Sequence, residues 1–196
     1  MLVAGTVVAA MFVSVVAQAQ GYGGYPMPPQ YQAQEPAPGQ LLREGIEKIT
    51  TYLAQGGSAN PARLLAFLET EVAPYFDFAY MARWSVGPRY RYLNPAQRNE
   101  VEKQLRDMFL GAMAEKLASY RPGRIQYLPP RGNPRRGELV LSIRTFRADG
   151  YPMQLDFSLY EGRTGWRVYD VSANGASALM YYRKVFSQQP SAYYRR

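Results

Sequence analysis

The chain has 196 residues, 47% of them hydrophobic, and a formal net charge of +8, enough for one domain with a true core plus appendages. It contains no Cys and no His, which excludes disulfides, thiolate nucleophiles, Cys zinc sites, the Ser-His-Asp triad and nearly all zinc and copper chemistry. Only carboxylates, Lys, Tyr and Ser remain for chemistry, so no metal, cofactor or catalytic residue is expected, although a glycosidase needs only two carboxylates; the basic surface points to an anionic partner.

Residues 1–19 carry no charged side chain and end in Ala17-Gln18-Ala19. This small-x-small ending predicts a secretory signal peptide cleaved before Gln20, although no Lys or Arg precedes the apolar run. The alternative is an uncleaved anchor, for which an apolar run of roughly 16 residues is short. Residues 20–38 are rich in Gly, Pro, Gln and Tyr with one charge, Glu35. Such a composition buries too little apolar surface to offset chain entropy, and predicts a disordered tether. A domain over residues 39–187 and a flexible tail over 188–196 complete the expected organisation.

Four helices are predicted next. Leu42, Ile46, Ile49 and Leu53 form one stripe over residues 39–55, stopped by Gly56-Gly57. Asn60 caps a second helix that Pro61 opens; Leu64, Leu65, Leu68 and Val72 give its stripe, and Pro74 breaks or kinks it. A short helix follows with Phe78, Met81 and Trp84 inward, ending at Gly87. Asn94 and Pro95 start a fourth, with Val101, Leu105, Met108, Phe109, Ala112, Met113 and Leu117 on one face and Pro122-Gly123 closing it.

The hydrophobic period then switches from 3.6 to 2. A strand is expected within residues 124–128. Leu139, Leu141 and Ile143 alternate with Glu138, Ser142 and Arg144, while Val140 faces the other side. Asp149-Gly150 signals a hairpin. Met153, Leu155, Phe157 and Leu159 then make a strand apolar on one side. With a strand from Trp166, about four antiparallel strands follow four helices, and a last helix follows them. Helices and strands are segregated, so the predicted class is α+β, with helices covering one face of a curved sheet.

The final strand and helix carry a distinctive pattern. Trp166, Tyr169, Asp170 and Val171 read Trp-x-x-Tyr-Asp-Val; Gly175 and Ser177 follow a break at Asn174-Gly175; Tyr182, Arg183 and Phe186 close it. An earlier block holds Pro74, Phe76, Asp77, Phe78, Met81, Ala82, Arg83, Gly87, Pro95, Gln97 and Arg98 in order. Together they resemble the MlaC family over about residues 40–187. Asn174 stands where Glu is more usual in that family, and Ala176 where Val or a similar residue is common.

The resemblance implies a periplasmic, monomeric carrier of phospholipid. It implies docking to an outer-membrane lipoprotein–porin complex and to an inner-membrane ABC transporter complex; the predicted export signal argues against a nucleic-acid partner. By composition alone Met81, Met108, Met113 and Met153 are ordinary core, but a carrier uses adaptable Met to line a variable apolar cavity. The expected cavity lies between the 153–159 strand and the 101–117 helix. Its expected lining is Met81, Trp84, Leu105, Met108, Phe109, Met113, Leu141, Ile143, Met153, Leu155, Phe157 and Val168. Arg131, Arg135 and Arg136 read as a basic loop, either simply solvated or in contact with head groups and partners.

Other readings stay open at this level. Asp77, between aromatics, is either a carboxyl whose pKa burial raises, a helix cap, or a salt-bridge partner of Arg83. Asp156 and Asp170 are either a hydrolytic pair or structural groups. The cargo is a phospholipid or another lipid such as a hopanoid. A filled core without a cavity would instead mark an adaptor.

Overall fold

The structure, a computed structural model, describes residues 37–120, 123–146 and 150–188. The expected signal peptide and nearly all of the tether, Pro122, Asp149 and the tail after Gln188 lie outside the described residues.

The local signals act where expected. Helix α1 (Ala37–Ala54) buries Leu42 and Leu53 and half-buries Ile46 and Ile49. Asn60 caps α2 (Pro61–Phe67), its side chain accepting the Arg63 N–H at 3.1 Å. The apolar stripe does not continue as one α-helix to Val72, however. Residues Leu68–Val72 form a π turn, and Ala73–Tyr75 a 3-10 turn. Pro74 has no N–H to donate and its ring clashes with a further α turn; the wider turn before it keeps Leu64, Leu68 and Val72 all buried. Asp77 caps α3 (Phe78–Val86), accepting the Tyr80 N–H at 2.7 Å. Arg83 instead sits over the Tyr80 ring at 5.2 Å. Helix α4 (Pro95–Ala118) opens with a reciprocal capping box: Asn94 and Gln97 each accept the other's backbone N–H at 2.9 Å.

The sheet holds six antiparallel strands rather than about four. They are β1 (Gln126–Tyr127), β2 (Arg131–Asn133), β3 (Glu138–Phe146), β4 (Pro152–Gly162), β5 (Gly165–Ala173) and β6 (Ala176–Ser177), followed by α5 (Ala178–Gln188). Strands β1 and β2 both pair with β3, and β6 continues beyond β5. One expected irregular segment is therefore a strand, and another is the tight turn between two strands. Arg131 lies in β2, not in a loop, and the break at Asn174-Gly175 is a two-residue hairpin. Asn174 (φ 48°) and Gly175 (φ 84°) both sit in the left-handed region, the requirement of a type I′ turn. Asn174 also exchanges hydrogen bonds with β4: its N–H donates to the Gln154 carbonyl, and its side chain accepts the Gln154 N–H, both at 2.9 Å. Asn tolerates this backbone conformation better than Glu does, which accounts for the residue at this position.

Register sets which residues share the inner face. Leu139 pairs with Leu159, Leu141 with Phe157, Ile143 with Leu155 and Thr145 with Met153. An irregularity at Ser158/Leu159 shifts the β4–β5 register, so Leu159 faces Val168 and Phe157 faces Val171. The chain ahead of α3 is stitched to β5: the Asp77 N–H donates to the Val168 carbonyl at 2.9 Å. The Tyr160 hydroxyl donates to the Asp77 carboxylate. At the other end of the sheet, the Tyr120 and Thr145 hydroxyls lie 3.3 Å apart. Helix α4 thus runs from the Val168 end of the sheet, where Glu102 and Arg106 share a recess with Arg167, to the Thr145 end.

Candidate functional site

Burial changes abruptly along α4. Its first part buries Val101, Leu105, Phe109 and Leu110, but from Gly111 to Ala118 no residue is buried. Met113 and Leu117 continue the same apolar stripe and are only half-covered. Strand β4 shows the matching gradient in reverse. Leu159 is 0% exposed and Phe157 8% exposed, whereas Leu155 and Met153 are half-exposed. Because Tyr120 ties the end of α4 to Thr145, and Thr145 is the cross-strand partner of Met153, the two open halves lie at the same end of the domain. Val171, opposite Phe157 on β5, is half-exposed too. Met113, Leu117, Leu155 and Val171 are thus partly covered residues packed against the margin of the one hydrophobic core, at the same end of the domain.

The fully buried part of α4 meets an aromatic cluster. Phe109 lies 4.9 Å from Phe76, 5.7 Å from Phe78 and 6.3 Å from Tyr182, ring centre to ring centre. Burial pushes the Tyr182 hydroxyl up to about 12, so this ring stays neutral at every physiological pH.

The twelve residues expected to line a cavity therefore divide. Met81, Leu105, Phe109, Leu141, Ile143, Phe157 and Val168 are buried in the one hydrophobic core. Met108, Met113, Met153 and Leu155 are half-exposed. Trp84 is half-buried and carries the Arg183 guanidinium 4.8 Å from its ring centre, at the junction of α3 and α5. Phe76 and Tyr182, which meet Phe109, and the buried Leu110 were not among the expected lining, although the family blocks held Phe76 and Tyr182. The Tyr-Arg-x-x-Phe pattern did flag Tyr182, but no periodicity could tell that it meets Phe109.

The sheet's other face is polar and internally bonded. Asp156 Oδ1 accepts from Ser142 Oγ at 2.5 Å, Gln154 Nε2 at 2.9 Å and Arg131 at 2.9 Å. Burial is the largest single influence on Asp156 and opposes ionisation. The Ser142 and Gln154 hydrogen bonds and the Arg131 charge together outweigh it, holding the carboxyl below its ordinary range. Asp170 is buried and accepts from Ser177 Oγ at 2.6 Å and the Leu179 N–H at 2.9 Å, anchoring the start of α5. Both carboxylates considered as a hydrolytic pair are thus engaged in structural bonds.

Asp156 yields a pH prediction. Its folded pKa lies below the unfolded value of 3.8, so its stabilisation is full above 3.8 and is lost as pH falls through the folded value. Asp156→Asn is expected to lower stability at pH 7 by about 2 kcal/mol, the scale of a charge-assisted hydrogen bond, and much less at pH 2.5. Urea titrations of both proteins at the two pH values check this; an equal loss at both would remove the charge from the argument.

Arg131 is separated in role from its two neighbours. Arg135 and Arg136 lie exposed in the 3-10 turn Pro134–Arg136, near Leu139 and Glu161. This is the Leu139–Leu159 end of the sheet, about 27 Å from the Phe146 end of β3 at about 3.3 Å per residue.

Two recesses open elsewhere on the described surface. One, of about 520 Å³, lies between α1 and the π turn, lined by Tyr52, Phe67, Lys48 and Glu71 among others. The other, of about 410 Å³, holds Asp77, Glu102, Arg106 and Arg167. There burial first, and then the charge of Asp77, raise the Glu102 carboxyl above its ordinary range, against the pull of Arg106. Neither recess contains a residue of the expected lining. No group of three or more acidic residues among the described residues could hold a metal ion, and no described helix is long and apolar enough to cross a membrane.

Comparison with known proteins adds two findings. The model of the family described as MlaC protein matches residues 43–192. The fold is similar to that of a solved phospholipid-binding protein from Ralstonia solanacearum, determined in complex with a phospholipid. That likeness has a TM-score of 0.68 at 18% identity and covers 76% of this chain and 84% of that one.

Proposed function

Because the chain belongs to the MlaC family, we propose that it is a periplasmic carrier that holds phospholipid acyl chains in the slot between the second half of α4 and the first half of β4. The observation that carries this reading is that the apolar stripe of α4 is only partly buried from Gly111 onward, at the same end of the domain as the partly exposed Met153 and Leu155. An apolar ligand laid along such a partly covered stripe would complete its burial. The phospholipid found in the Ralstonia solanacearum protein of the same fold supports a lipid as the cover.

The energetics explain why such a carrier is needed. At about 0.8 kcal/mol per CH₂, roughly 30 methylenes of a diacyl lipid cost on the order of 25 kcal/mol in water. A dry slot removes that barrier and needs no catalytic group. The carrier picks up and delivers lipid between an outer-membrane lipoprotein–porin complex and an inner-membrane ABC transporter complex, and the exposed Arg135 and Arg136 supply partner contacts remote from the slot's mouth. Lipid extraction and mass spectrometry of the protein purified from cells test the reading. About one phospholipid per chain is expected; protein free of any lipid overturns it.

A further inference from the structure

The recess of about 410 Å³ is lined by charged side chains of both signs from three elements. Helix α4 supplies Glu102 and Arg106, β5 supplies Arg167, and the turn into α3 supplies Asp77 beside Phe76 and Phe78. Glu102 and Arg106 stand one turn apart on α4, the spacing and order in which an acid and a base ordinarily close an ion pair. Lys103 and Asp107, the next such pair, stand in the less favourable order and still close at 2.8 Å. Glu102 and Arg106 do not: among the described residues no ion pair or hydrogen bond engages the Glu102 carboxylate.

The other groups are held ready in the same way. The Arg106 guanidinium lies 5.9 Å from the ring centre of Phe78. Arg167 gives one N–H to the Trp166 carbonyl at 3.3 Å. Each guanidinium keeps further donors. Asp77 accepts the Tyr80 N–H on one oxygen and the Tyr160 hydroxyl on the other. These bonds fix its carboxylate and leave a lone pair on each oxygen. Burial, and then the charge of Asp77, push the Glu102 carboxyl up against the pull of Arg106; a cation bound between two carboxylates relieves that repulsion.

From this arrangement we infer that the recess binds a zwitterionic aminophosphate of the phosphoethanolamine type, its phosphodiester on Arg106 and Arg167 and its ammonium between Asp77 and Glu102. The lining carries two charges of each sign, so a ligand with one of each leaves the site neutral. A tetrahedral phosphate offers oxygens in several directions and suits guanidiniums that arrive from two elements; a planar carboxylate suits a single fork. The inference is independent of where acyl chains lie. Arg167 pairs with Tyr160, about 17 Å along β4 from Leu155 at about 3.3 Å per residue. The same chemistry reaches the recess either as free glycerophosphoethanolamine or as the head group of a lipid in a bilayer.

Calorimetric titration of the full chain with glycerophosphoethanolamine tests the inference. Glycerol phosphate lacks the ammonium, ethanolamine lacks the phosphate, and β-alanine carries a carboxylate in its place. Each of the three is expected to bind at least about tenfold more weakly, a loss that one charge-assisted hydrogen bond exceeds. Glu102→Gln and Arg106→Gln are each expected to weaken glycerophosphoethanolamine by at least the same factor. Neither side chain is buried, so both variants keep the fold. Sedimentation with phosphatidylethanolamine vesicles separates the two sources. Retention of the parent and not of the variants assigns the bilayer head group; binding of the soluble compound alone assigns the free ligand. No binding at millimolar concentration, unchanged binding by the variants, or equally tight binding of any of the three comparison compounds overturns the site.

Discussion

Leu155→Trp is expected to cut the lipid that co-purifies with the protein at least about tenfold while leaving the fold intact. Leu155 is half-exposed on the inner face, paired across the ladder with buried Ile143. An indole there projects into the slot instead of into packed core, so it displaces acyl chain without overpacking protein. Excluding two methylenes is enough: at about 0.8 kcal/mol each they amount to about 1.6 kcal/mol, slightly more than one decade in affinity. Mass spectrometry of extracted lipid and a thermal melt of the same sample decide it. A variant that melts like the parent and carries full lipid places the acyl chains elsewhere. Phe157→Trp would be a poorer test, because at 8% exposure the added bulk strains the core and confounds lipid loss with unfolding.

Phe109→Ala is expected to destabilise the protein by about 3–5 kcal/mol, the range for deleting a buried aromatic ring. The ring is 6% exposed and meets Phe76, Phe78 and Tyr182 within 6.3 Å. For a domain of this size that is a fall in melting temperature of about 10 °C. Met113→Ala, one turn further along the same stripe but half-exposed, is expected to cost less than about 1 kcal/mol in lipid-free protein. Urea unfolding of both variants after delipidation measures the contrast. Similar losses at the two positions would mean that α4 packs evenly along its length and that no slot opens at its end.

Much of the fold was legible before any coordinates. Asn60 with Pro61, and Asn94 with Pro95, start helices because an unpaired N–H at a helix start needs an acceptor and Pro has none to leave unpaired. Period-2 alternation in Leu139–Ile143 and Met153–Leu159 named the inner face of the sheet correctly. These are local effects, set by the conformational preferences and spacing of neighbouring residues. The short strands β2 and β6 escaped because three and two residues carry no measurable period, and their existence depends on a partner strand far along the chain. For Asp156 and Asp170 the structural reading was among the alternatives, but their partners were not legible: Arg131 and Ser142 on one side and Ser177 on the other are brought near only by sheet register and the β5–β6 turn.

The candidate site divides along the same line. The sequence by itself determined that Leu105, Phe109, Met113 and Leu117 share one face of a helix, and that Met153, Leu155, Phe157 and Leu159 share one face of a strand. On that basis all eight are equivalent. Only the tertiary structure decided that the stripe is fully buried as far as Leu110 and partly covered from Gly111, and that β4 is fully buried at Leu159 and partly covered at Met153. The physical reason is that periodicity reports the direction in which a side chain points. How far away the opposing surface stands is set by the crossing of whole elements, here by α4 running from the charged recess beside Asp77 to the Tyr120–Thr145 contact.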